Sequence, residues 1–339
     1  MKTIIIFFAG IFITQLTFCQ NTDSAQFYFN KGMEANEAKL YAIASNNFDK
    51  AIHFNSNFTE AYIENGKADL AMRSIGKAYQ NFSKAYELDP KNNEVINQLA
   101  TLSFNNRQFQ KAIELAQQCM NCENSSRILG MSFYNLEDYG KAQKYLKEAL
   151  TKNRQDAYAA YTLGQTYLEL EDEKNAIAQF QNAIELEPKS QWMYELGLIC
   201  YNQNDYKSAL KYFEMAANKG YNKSNDFYEN LGFAQLYSGD TENGIKTLNI
   251  ILERKPNNKE LMNNIAYAMY DTKKYNEALD YFTKLLNINP KDATTLYMAG
   301  LTFQKLGQKE KGQKICDNAI ELNPALKMYR QKKEMPEGL

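Results

Sequence analysis

Small and bulky residues recur along this chain at fixed offsets, and the offsets predict successive pairs of amphipathic helices. When segments starting at 25, 59, 93, 123, 157, 190, 225, 259 and 293 are superposed, position 8 carries Gly32, Gly66, Ala100, Gly130, Gly164, Gly197, Gly232, Ala266 and Gly300. Position 20 is equally small, with Ala44, Ala78, Ala112, Ala142, Ala176, Ala209, Gly244, Ala278 and Gly312. Position 24 is bulky in most copies, as in Phe48, Phe82, Leu146, Phe180, Phe213, Leu248 and Phe282, with Ala116 and Cys316 as the smaller variants. Position 27 is mostly alanine, at 51, 85, 149, 183, 216 and 319.

Glycine within a helix costs about 1 kcal/mol against alanine, so its recurrence at position 8 calls for a packing reason. The expected reason is a close crossing of two antiparallel helices at positions 8 and 20. Positions 24 and 27 are expected to fill the seam with the next hairpin and so build a continuous core. Prolines punctuate the series at 90, 188, 256, 290 and 324, the last three 34 residues apart, and they close the phrases YELDP, IELEP, LNINP and IELNP. Each stops a helix. The spacing departs most between 93 and 123, where the start-to-start interval shrinks from 34 to 30 residues beside Cys119 and Cys122.

The pattern resembles the tetratricopeptide repeat family, in which small residues stand at 8, 20 and 27, an aromatic at 24 and proline at 32. Segment 157–188 shows it in Leu163, Gly164, Tyr167, Ala176, Phe180, Ala183 and Pro188. The family's tryptophan at position 4 is absent; Tyr28, Tyr62, Met193 and Tyr228 take its place, and Trp192 sits one residue early. The resemblance implies an all-α fold, a right-handed α-solenoid superhelix of about nine helix hairpins over residues 20–326. A capping helix is expected at 325–335, with Ala325, Leu326, Met328 and Tyr329 covering the last repeat, and a tail at 336–339. Such stacks need a terminal cap.

Composition suits this picture, with 6 prolines, 16 glycines and 44% hydrophobic residues among 339. A net charge of -1 from 39 basic and 40 acidic residues lacks the clustered positive field that binds nucleic acid. The run Lys327, Arg330, Lys332 and Lys333 reads as the solvated face of the cap.

The first residues differ in kind. Lys2 precedes an apolar run from Ile4 to Ile13, then Thr14, Gln15 and Leu16-Thr17-Phe18-Cys19-Gln20. This is a secretory signal pattern over 1–19, too short for the roughly 20 residues of a spanning helix. Thr17 and Cys19 suit signal peptidase, which would leave Gln20 first. The same stretch resembles a lipoprotein box with Cys19 as the lipidated residue, although Phe18 stands where that box has a small side chain. An uncleaved anchor is the third reading. The expected location is the periplasm or cell envelope, or secretion, with membrane attachment only through lipidated Cys19 or an uncleaved leader.

In an oxidising compartment Cys119 and Cys122, three residues apart at a helix end, are placed either for a disulfide or as two free thiols. The helix C-terminus disfavours a reactive thiolate, and zinc would need two further ligands. Cys200 and Cys316 fall at core positions. No catalytic residue, cofactor or metal is expected. The single histidine, His53, has no nucleophile motif beside it; Glu169, Glu171, Asp172 and Glu173 read as a solvated turn; and the glycines are accounted for by position 8 and by turns rather than by a phosphate loop.

Function is therefore sought on the inner wall that positions 2, 5, 9 and 12 of each first helix line in this family. Its later half offers Tyr158, Tyr161, Tyr194, Tyr201, Phe233, Asn263, Tyr267, Tyr270 and Tyr297. Tyr158, Tyr161, Tyr194 and Tyr297 are expected to be the open ones, and Asn230, Asn263 and Asn264 to pair with a peptide backbone. Tyrosine joins a flat apolar face to a polar tip, a combination common at interfaces. The expected function is a non-enzymatic scaffold holding a peptide or partner protein. A glycan-binding groove is the alternative, and an enzyme using surface carboxylates the least favoured reading.

Overall fold

A computed structural model describes residues 23–332 apart from residue 120. The expected signal peptide, Cys19 with its lipidation, residues 333–335 of the expected cap and the tail lie outside the described residues. The chain divides into two compact units, Met1–Leu186 and Glu187–Leu339. The described residues are helical and contain no strand.

The first unit holds α1 (23–37), α2 (Tyr41–Phe54), α3 (Thr59–Ala71), α4 (Ile75–Leu88), α5 (Asn93–Asn105), α6 (Phe109–Gln118), α7 (Ser125–Asn135), α8 (Tyr139–Lys152), α9 (Ala157–Glu169) and α10 (Glu173–Leu186). The second holds α11 (Ser190–Asn202), α12 (Tyr206–Asn218), α13 (Asn225–Ser238), α14 (Thr241–Arg254), α15 (Lys259–Asp271), α16 (Tyr275–Ile288), α17 (Ala293–Lys305) and α18 (Lys309–Leu322). A single turn of 3-10 helix, Pro324–Leu326, and α19 (Lys327–Lys332) follow α18. Each unit is a stack of helix hairpins.

Glycine at position 8 lies beneath the bulky residue at position 24 of its own hairpin. A methyl group built on Gly164 would stand 2.7 Å from Phe180 Cδ2, on Gly197 2.6 Å from Phe213 Cδ1, and on Gly130 2.6 Å from Leu146 Cγ. This corrects the expectation that position 24 chiefly fills the seam with the next hairpin: it first closes its own pair. Backbones do approach at positions 8 and 20, where a methyl on Gly244 would lie 2.9 Å from the Gly232 carbonyl oxygen. Phe48, Phe82, Phe180, Phe213 and Phe282 are all buried. In the first unit one apolar core runs from Ile63 to Ala176.

The hairpin turns share a device that the repeat pattern does not announce. Position 15 is left-handed in every turn: Lys39, Arg73, Arg107, Glu137, Glu171, Asn204 and Lys273 have φ between 57° and 63°, and Gly239 and Gly307 fill the same place. Around Glu171 the Asp172 amide donates to Tyr167 O at 2.8 Å and the Glu171 amide to Leu168 O at 3.0 Å. This crossed pair satisfies the last carbonyls of the first helix and aims the chain back along it. Many next helices then begin on a side-chain cap, as where the Asp138 carboxylate accepts from the Lys141 amide.

The short interval falls at α6 and α7, which have 10 and 11 residues against 13 or 14 in the other helices of the first unit from α2 onward. Cys119 and Cys122 are joined there by a disulfide, with Cα atoms 5.4 Å apart. Cys200 and Cys316 are buried thiols, pushed up to about 11 by burial.

Over the described part of the expected cap at 325–335, the chain forms the 3-10 turn followed by α19. Leu326 is buried with Tyr297, Cys316 and Ala319, and Tyr329 packs against them, whereas Met328 is 45% exposed. The bend at Asn323-Pro324 sets this register: the Asn323 side chain accepts from the Ala325 amide, turning Leu326 inward and Met328 out.

Candidate functional site

Three successive first helices of the second unit, α11, α13 and α15, together line an open trough of about 540 Å³. Tyr201 contributes from α11, Asp226, Glu229, Asn230, Phe233 and Tyr237 from α13, and Asn264, Tyr267 and Asp271 from α15. Helical spacing of three and four residues brings Asp226, Glu229, Asn230, Phe233 and Tyr237 onto one face. The repeat then sets Asn264, Tyr267 and Asp271 beside Asn230, Phe233 and Tyr237, since each pair occupies the same position in successive copies.

Aromatic rings form one wall. Tyr206 stands edge-on to Tyr201 at 5.3 Å and stacks on Tyr237 at 4.8 Å, and Phe233 follows at 6.4 Å from Tyr237. Burial, helped by the carboxylate of Asp271 and by Tyr206, pushes the Tyr237 hydroxyl up to about 12. Burial likewise pushes Tyr267 up to about 12 and raises Tyr201, so these phenols stay neutral at ordinary pH. The Tyr267 hydroxyl is buried and has no hydrogen-bond partner among the described residues.

The trough's charge is negative. Asp226, Glu229 and Asp271 line it and no lysine or arginine does. Burial raises the Glu229 carboxyl, Glu260 and Asp226 raise it further, and the Asn264 side chain opposes them by hydrogen bonding to it. Partial burial also raises Asp271 at the rim.

A second cavity of about 1110 Å³ lies against α17, α18 and α19, where Tyr270, Tyr297 and Tyr329 meet a mixture of Lys305, Lys309, Lys314, Glu310 and the Arg330–Asp317 ion pair of 2.6 Å.

Models of the tetratricopeptide repeat match residues 129–184, 161–224, 259–292 and 293–326. The chain carries tetratricopeptide repeats. The trough spans repeats that these models cover in part, through Tyr201 and the residues of α15. Among curated proteins the repeats are similar to the CTR9 homolog of Arabidopsis thaliana, 21% identical over 317 residues, 78% of this chain and 29% of that protein. They are also similar to a TPR repeat-containing protein of Methanocaldococcus jannaschii, 22% identical, covering 75% of this chain and 50% of that one. The chain thus spans half or less of the length of these relatives. Similar solved structures are MamA, 18% identical with a TM-score of 0.45 over 50% of this chain and 94% of that chain, and YrrB, 20% identical with a TM-score of 0.45 over 52% and 93%; the latter is described as having an unusual peptide-binding site.

Of the groove residues the repeat template nominates, Tyr201, Phe233 and Tyr267 come together in the trough. Tyr270 and Tyr297 line the second cavity, and Asn263 lines neither. Tyr158 and Tyr161 belong to the first unit, where Tyr158 is 45% exposed and the half-buried Tyr161 accepts a hydrogen bond from Gln165 at 2.9 Å.

Two expected open rings are closed. Tyr194 is 9% exposed because its ring stacks on Tyr221 at 4.4 Å, among Phe213 and Phe227, and its hydroxyl accepts from Asn230 at 2.8 Å. Tyr297 is 2% exposed because Leu326 covers it. Of the asparagines expected to hold a peptide backbone, Asn230 is engaged by Tyr194 and Asn264 by Glu229.

Asp226, Glu229, Tyr237 and Asp271 also line the trough, although the repeat template does not nominate them. The first two occupy positions 2 and 5, where a search for rings overlooks charge; the last two occupy position 13, which the template leaves out.

Proposed function

We propose that the chain is a protein-interaction scaffold whose second unit holds an extended polypeptide segment in the trough across α11, α13 and α15. The observation that supports it is this trough itself: an open channel rather than an enclosed chamber, lined from three consecutive first helices by rings and side-chain amides. A segment laid across successive repeats meets equivalent positions at a regular spacing, which suits an extended chain. The rings supply apolar area, and Asn230 and Asn264 each keep amide hydrogen-bonding capacity beyond the contacts described.

The test is retention of randomised nonapeptides by the full chain, compared with a Tyr237→Ala/Tyr267→Ala variant of unchanged helicity. Retention lost in the variant is the expected result. Retention by neither protein, or equally by both, overturns the trough as the site.

We further propose that the protein is exported, on the strength of Lys2, the apolar run Ile4–Ile13 and the small residues Thr17 and Cys19. Mass spectrometry of the mature N-terminus tests it: Gln20 or an acylated Cys19 supports export with cleavage, and an intact Met1 recovered from the cytoplasm overturns it.

A further inference from the structure

Many aromatic side chains of this protein carry a cation from within the chain, and those of the trough do not. Elsewhere rings are covered from within the chain: Lys284 lies 4.4 Å over Tyr281, Lys311 3.8 Å over Phe303, Lys189 4.7 Å over Trp192 and Lys147 5.4 Å over Tyr167. In the trough, Tyr201, Phe233, Tyr237 and Tyr267 have no lysine or arginine over them among the described residues. Asp226, Glu229 and Asp271 likewise form no ion pair among the described residues, although acidic side chains elsewhere do, as Asp156 does with Arg127 at 2.7 Å.

We propose that the occupant of the trough is a polypeptide segment bearing a lysine or arginine side chain, its methylenes against Tyr201 and Phe233 and its cation beside Glu229, in the negative field that Asp226 and Asp271 extend along the trough. This rests on the peptide-binding reading above and names the chemistry that the same site selects. A long cationic side chain matches both halves of the lining, since its stem is apolar and its head charged. A cation near a ring face adds quadrupole attraction, which strengthens as water is excluded.

Charge complementarity decides between occupants. An acidic segment would meet three carboxylates with nothing to offset them. A neutral apolar segment would cover Glu229 without relieving its repulsion from Asp226 and Glu260, which the free protein already carries. A cation relieves that repulsion on arrival and so binds by more than contact area. A metal ion is the poorer match, because acidic and other ligating side chains nowhere converge as a coordinating set among the described residues.

The test uses the full chain and four pools of randomised nonapeptides that differ only in a fixed central residue: lysine, arginine, norleucine or glutamate. The lysine or arginine pool is expected to be retained about tenfold over norleucine at roughly 0.1 M salt, with glutamate lowest. In a Glu229→Gln/Asp271→Asn variant, which keeps side-chain size, the preference is expected to fall towards unity while norleucine retention holds. Equal retention of lysine, arginine and norleucine, or a preference unchanged in the variant, overturns the cation assignment. If all four pools are retained equally and all are lost in Tyr237→Ala/Tyr267→Ala, only the cation assignment fails. If no pool is retained, the trough fails as a peptide site and the cation assignment fails with it.

Discussion

Gly164 lies directly beneath the Phe180 ring, so that a methyl group added to Gly164 would stand 2.7 Å from Cδ2. Both residues are buried in the core of one hairpin, where the Tyr161 ring also packs edge-on against Phe180 at 5.4 Å. Gly164→Ala therefore sets a helix-propensity gain of about 1 kcal/mol against overpacking of about 1–3 kcal/mol. A net loss of up to roughly 2 kcal/mol is expected, read as a lower urea midpoint. The hairpin containing Ala266 and Phe282 shows the relaxed limit, since both are fully buried there and the methyl is accommodated. Gly164→Leu is expected to unfold the hairpin outright, and an unchanged midpoint for that variant would contradict the close approach.

Lys273 holds φ at 63°, a conformation that costs a non-glycine residue roughly 1 kcal/mol. Lys273→Gly is expected to raise the thermal midpoint, because the turn at α15–α16 becomes unstrained and the lysine is at a surface turn. The reverse change, Gly239→Val at φ 98°, is expected to lower it by more. Differential scanning calorimetry of the two variants should show shifts of opposite sign.

The Cys119–Cys122 bridge closes a very small loop, so its constraint on the unfolded chain is modest, about 2 kcal/mol in the chain-entropy account. Cys119→Ser/Cys122→Ser is expected to lower stability by about that amount while leaving helicity intact. Loss of all folded signal on reduction would show that the shortened α6–α7 junction depends on the bridge far more than its loop length implies.

Glu229 sits between Asp226 on its own helix, Glu260 on α15 and Tyr201 on α11, with Asn264 as its one favourable partner. Its carboxyl is raised in the folded state, so the ionised form works against folding above that raised value. The cost disappears as pH falls towards the ordinary carboxylate value of 4.5, where folded and unfolded chains both take up the proton. Glu229→Gln is expected to melt higher than wild type at neutral pH and to converge with it near pH 4. A constant gap across that range would remove the electrostatic cause.

The hairpins were legible because their determinants are short-range and repeated. Gly32, Gly66 and Gly164 answer Phe48, Phe82 and Phe180 at one fixed separation, and each pair is a contact between neighbouring helices of one copy. The left-handed residue at position 15 was not legible, because backbone satisfaction at the end of the first helix selects it rather than the side chain; lysine, arginine, glutamate and asparagine all serve there.

The candidate site divides in the same way. Tyr201, Phe233 and Tyr267 could be nominated from the template, but Tyr194 and Tyr297 at position 5 are closed by neighbours that no template specifies: the stacked ring of Tyr221 and the cap residue Leu326. By itself the sequence determined that this chain forms repeated helix hairpins, since packing within a copy depends on residues a fixed distance apart. Only the tertiary structure decided which rings stay open, and that carboxylates without internal cations gather beside them. Exposure and charge at a groove are sums over side chains from several copies, each of which varies independently of the pattern that makes the fold.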